Sequence, residues 1–229
     1  MYTKDKEVRI SQDEKPHSIS SSNSNTSLEH LPSTQRKPLN GKIFTFYSGS
    51  SFPWTDMKIL EDNDRVAYYA EVSEFTRNKP DIILHRGARS GSVCAHSFFG
   101  WFTRSFKCGM GPDETSMQWV EFKKGSFGKR RFEFHWDGRT YVLQAATSAE
   151  TNVSGAARLM LTHFKIIDAE SGEMIALYVS EKIGGKKGTL SLKASLCGDL
   201  ELLCVLGVAS WRDKIRRRQP KGGGAGVDG

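Results

Sequence analysis

The chain is poor in the features by which a sequence announces chemistry. Its four cysteines, Cys94, Cys108, Cys197 and Cys204, form no CxxC pair and no zinc-ligand spacing. They read as reduced, mostly buried thiols of an intracellular protein. No apolar run reaches the roughly 18 residues that suggest a membrane helix, so no transmembrane span is expected. The opening Met-Tyr-Thr-Lys-Asp-Lys-Glu has no apolar h-region, and a secretory signal is not expected. Catalytic signatures are missing too. Gly87-Ala88-Arg89-Ser90-Gly91 places its serine one position late for a nucleophile elbow. Gly184-Gly185-Lys186-Lys187-Gly188-Thr189 lacks the order of a phosphate-binding P-loop and runs into a strand-like segment. Lys124-Gly125-Ser126-Phe127-Gly128 has the glycines of an RNA-binding strand without stacking aromatics in register. His85, His96, His135 and His163 lie singly on predicted strands, where a histidine is ordinarily a packing or surface residue, and Asp113-Glu114 reads as a polar turn. No catalytic residue, metal or cofactor is therefore expected. One-signed charge is scarce as well: 33 Lys and Arg stand against 26 Asp and Glu, a net of +7. That balance permits contact with phosphates or an anionic membrane without demanding it.

What is present is alternation. Between residues 41 and 219 the hydrophobic period is mostly two, with turn residues every 8–12 positions, the mark of a barrel or sandwich. Strands are expected at 42–48, 57–62, 66–75, 81–86, 92–101, 105–109, 117–123, 130–136, 139–145, 161–167, 173–180 and 189–196. Asp137-Gly138 predicts a two-residue hairpin with positive φ at both positions. Beside it, Phe132, Phe134 and Trp136 share one face opposite Arg131, Glu133 and His135. Asp168-Ala169-Glu170-Ser171-Gly172 predicts a longer hairpin, and Asn78-Lys79-Pro80-Asp81 another turn, since Pro80 cannot donate to a ladder. Trp54, Trp101, Trp119 and Trp136 read as core or rim aromatics. Residues 1–40, with a Ser- and Asn-rich run, carry too little apolar surface to offset their ordering entropy and are expected to be a disordered polar tail. The glycine-rich segment 220–229 reads as a second flexible tail.

Residues 202–211 carry no charge and are almost all apolar. They lie in a helix expected over 199–218, capped by Asp199 after Gly198 and ending in Arg212, Lys214, Arg216, Arg217 and Arg218 beside the negative end of its dipole. At 100° per residue, Leu202, Leu203, Cys204, Val205, Leu206 and Val208 point in every direction, so the helix must be enclosed. Eight strands make a barrel filled by side chains and sixteen leave a channel, so twelve leave a void that a helix about 10–12 Å across can fill. Gly207 and Ala209 would let the helix pass close to the wall. The expected fold is mainly β: a closed antiparallel barrel of about 12 strands around a central hydrophobic C-terminal α-helix.

That layout resembles the tubby C-terminal domain and its relatives, the phospholipid scramblases and LURP-one-related proteins. The resemblance spans about residues 41–218. It is carried by the segment Phe75-Thr76-Arg77-Asn78-Lys79-Pro80-Asp81-Ile82-Ile83-Leu84-His85-Arg86-Gly87, the hairpin Arg131-Phe132-Glu133-Phe134-His135-Trp136-Asp137-Gly138-Arg139, the turn Asp168-Ala169-Glu170-Ser171-Gly172-Glu173 and the final helix. The chain looks like a small stand-alone member of that superfamily. The resemblance implies phosphoinositide headgroup binding through Lys and Arg at a strand–strand connection, whose nearest counterpart is the turn with Arg77 and Lys79. Asn78 and Pro80 interrupt the basic run of tubby there, and an arginine-rich helix end replaces the tubby ending. No palmitoylated cysteine cluster or terminal membrane helix of the scramblase kind is present.

Three basic clusters complete the reading: Lys123, Lys124, Lys129, Arg130 and Arg131 around one connection; Lys182, Lys186 and Lys187 around another; and the helix end, 212–218. They serve either as solvated loops that keep strand edges soluble or as a surface for anionic lipid. The expectation is a non-enzymatic, cytoplasmic domain, peripheral at a membrane, that binds anionic phospholipid headgroups or a protein partner. Its expected lipid-binding residues are Arg77, Lys79, Lys123, Lys124, Lys129, Arg130, Lys186 and Lys187. The alternatives are an enzyme with a site assembled from distant loops, and a weak nucleic-acid binder, which predicts a steep loss of affinity with salt.

Overall fold

A computed structural model describes residues 39–49, 55–62, 64–73, 79–100, 105–113, 115–125, 131–151, 162–183 and 185–218. The expected tails at 1–40 and 220–229 lie outside them, apart from residues 39 and 40. Twelve strands form one closed antiparallel barrel: β1 (Ile43–Ser48), β2 (Met57–Glu61), β3 (Val66–Val72), β4 (Ile82–Arg86), β5 (Val93–Phe99), β6 (Phe106–Met110), β7 (Gln118–Lys124), β8 (Arg131–Trp136), β9 (Arg139–Ala145), β10 (Phe164–Asp168), β11 (Met174–Ile183) and β12 (Lys186–Leu192). Each strand pairs with its neighbours in sequence, and β12 closes on β1 with Phe44 opposite Leu190. Full closure removes every exposed edge. A short helical turn, α1 (Ser148–Thr151), precedes β10, and α2 (Gly198–Arg218) follows β12.

Alternation decides which face is which. Phe44 and Phe46, Met57 and Ile59, Ile82 and Leu84, Phe132, Phe134 and Trp136, and Phe164 and Ile166 all point inward and are buried. Their neighbours Lys58, Glu121, Lys123, Glu133 and Lys165 lie on the outer face, five polar side chains in register with solvent. The apolar face therefore looks at the helix, the reverse of the order in a lipid-spanning barrel. Asp137 (φ 48) and Gly138 (φ 72) make the hairpin that Asp-Gly predicts.

Helix α2 occupies the interior. Every residue from 200 to 211 is buried, with Leu203, Cys204, Val205 and Leu206 at 0 % exposure. Its contacts run round the wall: Trp211 stacks on Phe164 and meets Phe132 edge-on, Gly207 lies against Phe122 and Leu143, Lys42 reaches Glu201, and Arg212 reaches Met57. No side of the helix is left for water. Cys204 and Cys108 are enclosed with it, and burial pushes the Cys108 thiol up to about 12. Cys94 is also buried, whereas Cys197 is exposed.

Gly207 lies where a side chain would press on the wall. A Cβ there would sit 3.0 Å from Phe122 Cε1 and Cζ. The Phe122 ring cannot yield, being stacked between Phe106 and Phe134 at 4.6 and 4.4 Å. Gly207→Val is expected to cost about 1–3 kcal/mol by overpacking, read as a lowered urea midpoint with an unchanged slope; an unchanged midpoint would show that the wall gives way.

The largest departure from the sequence reading is β12, which spans Lys186–Leu192 instead of 189–196. Lys186, Lys187 and Gly188 look like loop residues, yet Lys186 and Gly188 pair with both β1 and β11, and Lys187 sits at the register shift between them. Gly188 is required there, because a Cβ would lie 2.5 Å from Tyr178 Cζ. Lys123, Lys124 and Arg131 likewise belong to β7 and β8, so the basic clusters are strand ends.

Candidate functional site

In a barrel of sequentially paired antiparallel strands, connections alternate between its two ends. One end receives the β1–β2, β3–β4, β5–β6, β7–β8, β9–β10 and β11–β12 connections and the C-terminus of α2. The opposite end receives the shorter hairpins, including Asp137-Gly138 and the turn after Asp168. The described members of all three basic clusters therefore belong to strand ends or a helix end on the same side.

The helix end is strapped to that rim by paired charges. Asp213, 3 % exposed, accepts from Arg216 Nε at 2.8 Å and Arg217 Nε at 2.7 Å. Arg217 also donates to Asp81 Oδ1 and to the Ser73 carbonyl, both at 2.7 Å, and lies over the Phe99 ring at 5.0 Å. Lys214 donates to the Ser105 carbonyl at 2.8 Å and lies over Phe99 and Phe106. Burial, with a smaller push from Arg218, brings the Lys214 ammonium down to about 8.

Beside this strap lies a cavity of about 140 Å³ lined by the ends of β2, β10, β11 and β12 and by α2. Lys187, Arg212 and Arg216 supply its cations, Asp213 its carboxylate, and Thr55, Thr162 and Ser180 its hydroxyls. Lys187 is held there by its backbone, whose carbonyl accepts from Tyr178 Oη at 2.7 Å. Burial lowers its ammonium to about 8, and Arg212 and Arg216 push in the same direction against Asp213 and Asp56. Burial also draws the Arg212 guanidinium below the usual arginine range. Such an arrangement can bind and orient an anion.

Of the eight residues expected to bind lipid, Arg77, Lys129 and Arg130 lie outside the described residues. Lys79, Lys123, Lys124, Lys186 and Lys187 lie on the one rim, but not in one patch. Lys123 and Lys124, at the end of β7, are five strands from Lys187 on β12. Lys123 approaches Glu121 at 3.9 Å and Lys186 pairs with Glu181 at 2.8 Å. Lys79 is exposed on the β3–β4 connection. Only Lys187 of these lines the cavity. Sequence reasoning missed Thr55, Thr162 and Ser180, which carry no local signal. Arg212 does carry one: it is the first charge after the enclosed run, placed where the helix leaves the barrel.

The opposite end has its own hollow, about 230 Å³, in which Arg139 pairs with Asp168 and Lys193 with Glu173, and Asp137 adds a further carboxylate. The histidines have separate surroundings. His85 Nδ1 lies 3.1 Å from the Gly91 carbonyl, His135 bonds Thr140, and His163 accepts from the Ser180 N–H. Among the described residues no group of three or more His, Cys, Asp and Glu could hold a metal ion. No described helix is long and apolar enough to cross a membrane.

No protein-family model matches the chain, and no curated protein matches it. Among solved structures, the chain is similar to the X-ray structure of a protein from Arabidopsis thaliana. The identity is 12 %, the TM-score is 0.48, and the match covers 77 % of this chain and 93 % of that one.

Proposed function

We propose that this domain is a non-enzymatic binding module that receives anionic, phosphorylated headgroups at the rim where α2 ends, working at the cytoplasmic face of a membrane. The observation that carries the reading is topological: the described members of the basic clusters, and a cavity whose described cations outnumber its carboxylates, lie at that end. The resemblance to the tubby C-terminal domain supports the same class of ligand, and the barrel around a central helix is the layout such a resemblance implies.

Magnitudes say how such binding must work. A Lys or Arg near an anionic leaflet contributes about 1 kcal/mol. Four rim cations such as Lys79, Lys123, Lys124 and Lys186 would give about 4 kcal/mol, which is only millimolar affinity. Scattered rim charge can orient the barrel on a membrane but cannot hold it there. A fitted site such as the cavity must supply the rest.

In liposome sedimentation, the protein is expected to pellet with vesicles containing phosphoinositide and to stay in solution with neutral phosphatidylcholine vesicles. Added salt should weaken the effect, because the rim contribution is screened. Equal partitioning to the two kinds of vesicle would overturn the reading.

A further inference from the structure

His163 stands in for a strand partner. The β10–β11 pairing begins at Phe164 opposite Tyr178, two residues short of Ser180, and β11 then shifts register against β12 between Ser180 and Ile183. Ser180 lies beyond the last residue of β10, and its N–H donates instead to His163 Nδ1 at 3.2 Å. The imidazole is held in place: the Ala146 N–H donates to the His163 carbonyl at 3.0 Å, and the residue is 7 % exposed. A ring nitrogen that accepts from an N–H carries no proton, so this bond requires the neutral ring with its hydrogen on Nε2. His163 Nε2 is itself buried and has no hydrogen-bond partner among the described residues. No described acceptor is therefore on hand to stabilise an imidazolium.

The carboxylates on the elements packed around the ring are engaged with lysines. Lys165, two residues along the same face of β10, binds Glu150 of α1 at 2.8 Å, and Glu181 of β11 binds Lys186 of β12 at 2.8 Å. Lys187 of β12 and Arg212, Asp213 and Arg216 of α2 line the same cavity as Thr162 and Ser180, the neighbours of this bond. We propose that His163 is an acid-sensitive latch between β10 and β11: neutral, it holds the Ser180 N–H and with it the rim segment of β11 that lines the cavity, and on protonation it releases that segment. The added proton sits on Nδ1, where the Ser180 N–H already points, so an attraction becomes a repulsion between two donors. Burial lowers the imidazole from the usual 6.5. The latch therefore contributes in full above that value and is lost as pH falls through the lower, folded-state value. It belongs to the fold and does not depend on what the rim binds.

The test is heteronuclear NMR of the histidine rings together with amide hydrogen exchange, on the full chain without ligand. Near neutral pH, His163 is expected as the Nε2–H tautomer. Between about pH 7.5 and about pH 5 the Ser180 amide should lose roughly threefold or more in protection, corrected for the intrinsic pH dependence of exchange, while the β8–β9 ladder keeps its protection. His163→Asn offers an amide oxygen in place of Nδ1 and takes up no proton, so its Ser180 protection should stay constant over the same range. His163→Leu has no acceptor and should show the low protection at both ends of the range. An Nδ1–H tautomer near neutral pH, or Ser180 protection in the parent that does not fall with acid, would overturn the proposal. So would an equal acid loss in His163→Asn, or parental protection in His163→Leu. If either variant fails to fold, the ring tautomer and the pH profile of the parent decide the matter alone.

Discussion

Leu206→Asp is expected to leave a chain with no cooperative unfolding transition. Leu206 has 0 % exposure and lies in the uncharged stretch of α2, a full turn and more from Arg212. The substitution removes a buried leucine, worth about 2–5 kcal/mol in such cores. It also installs a carboxyl group that must either ionise without a partner or stay neutral without hydrogen bonds, a further penalty of several kcal/mol. Together these approach or exceed the 5–15 kcal/mol that ordinarily separates folded from unfolded chains. Circular dichroism melting and gel filtration would read the result as a flat melt and an expanded elution volume. A variant that melts like the parent would mean that water reaches this face of the helix.

Asp213→Ala is the second large effect, and it tests the strap at the other end of the helix. Asp213 is 3 % exposed and accepts from two arginines that cannot be neutralised by losing a proton. Arg217 keeps Asp81 and the Ser73 carbonyl, but Arg216 loses its described carboxylate partner. Breaking a fully buried ion pair from one side costs about 3–5 kcal/mol. The 38 % exposure of the Arg216 side chain reduces the expected cost here to about 1–3 kcal/mol. Chemical denaturation should show a fall of that size, with part of it restored in the double variant Asp213→Ala/Arg216→Met. A fall below about 1 kcal/mol would place the pair among ordinary surface bridges.

The barrel was legible because its signals are local and mutually consistent. Phe132, Phe134 and Trp136 alternate with Arg131, Glu133 and His135, Asp137-Gly138 dictates the hairpin that follows, and the all-round apolar run 202–211 can exist only inside something. The start of β12 was not legible. Lys186-Lys187-Gly188 carries loop residues, and what makes it a strand is non-local: the ladder to Phe46 and Tyr47, and the Tyr178 ring that Gly188 alone can accommodate. The candidate site was half visible. Its lysine and arginines stood out as clusters, but only barrel closure brings the start of β12 beside the last turns of α2. Thr55, just before β2, and Ser180, on β11, line the cavity from places distant in sequence and three strands apart in the closed sheet. Charge density alone pointed equally to Lys123 and Lys124, which lie almost across the rim.

Hydrogen exchange of the full chain with vesicles of phosphatidylcholine alone or with added phosphoinositide tests the central claim, that one rim of the barrel is its working face. New protection with the anionic vesicles is predicted at the start of β2, the start of β12 and the last turns of α2, with the hairpin at Asp137-Gly138 and the turn after Asp168 unchanged. Protection at those hairpins, or the same protection with neutral vesicles, would contradict it.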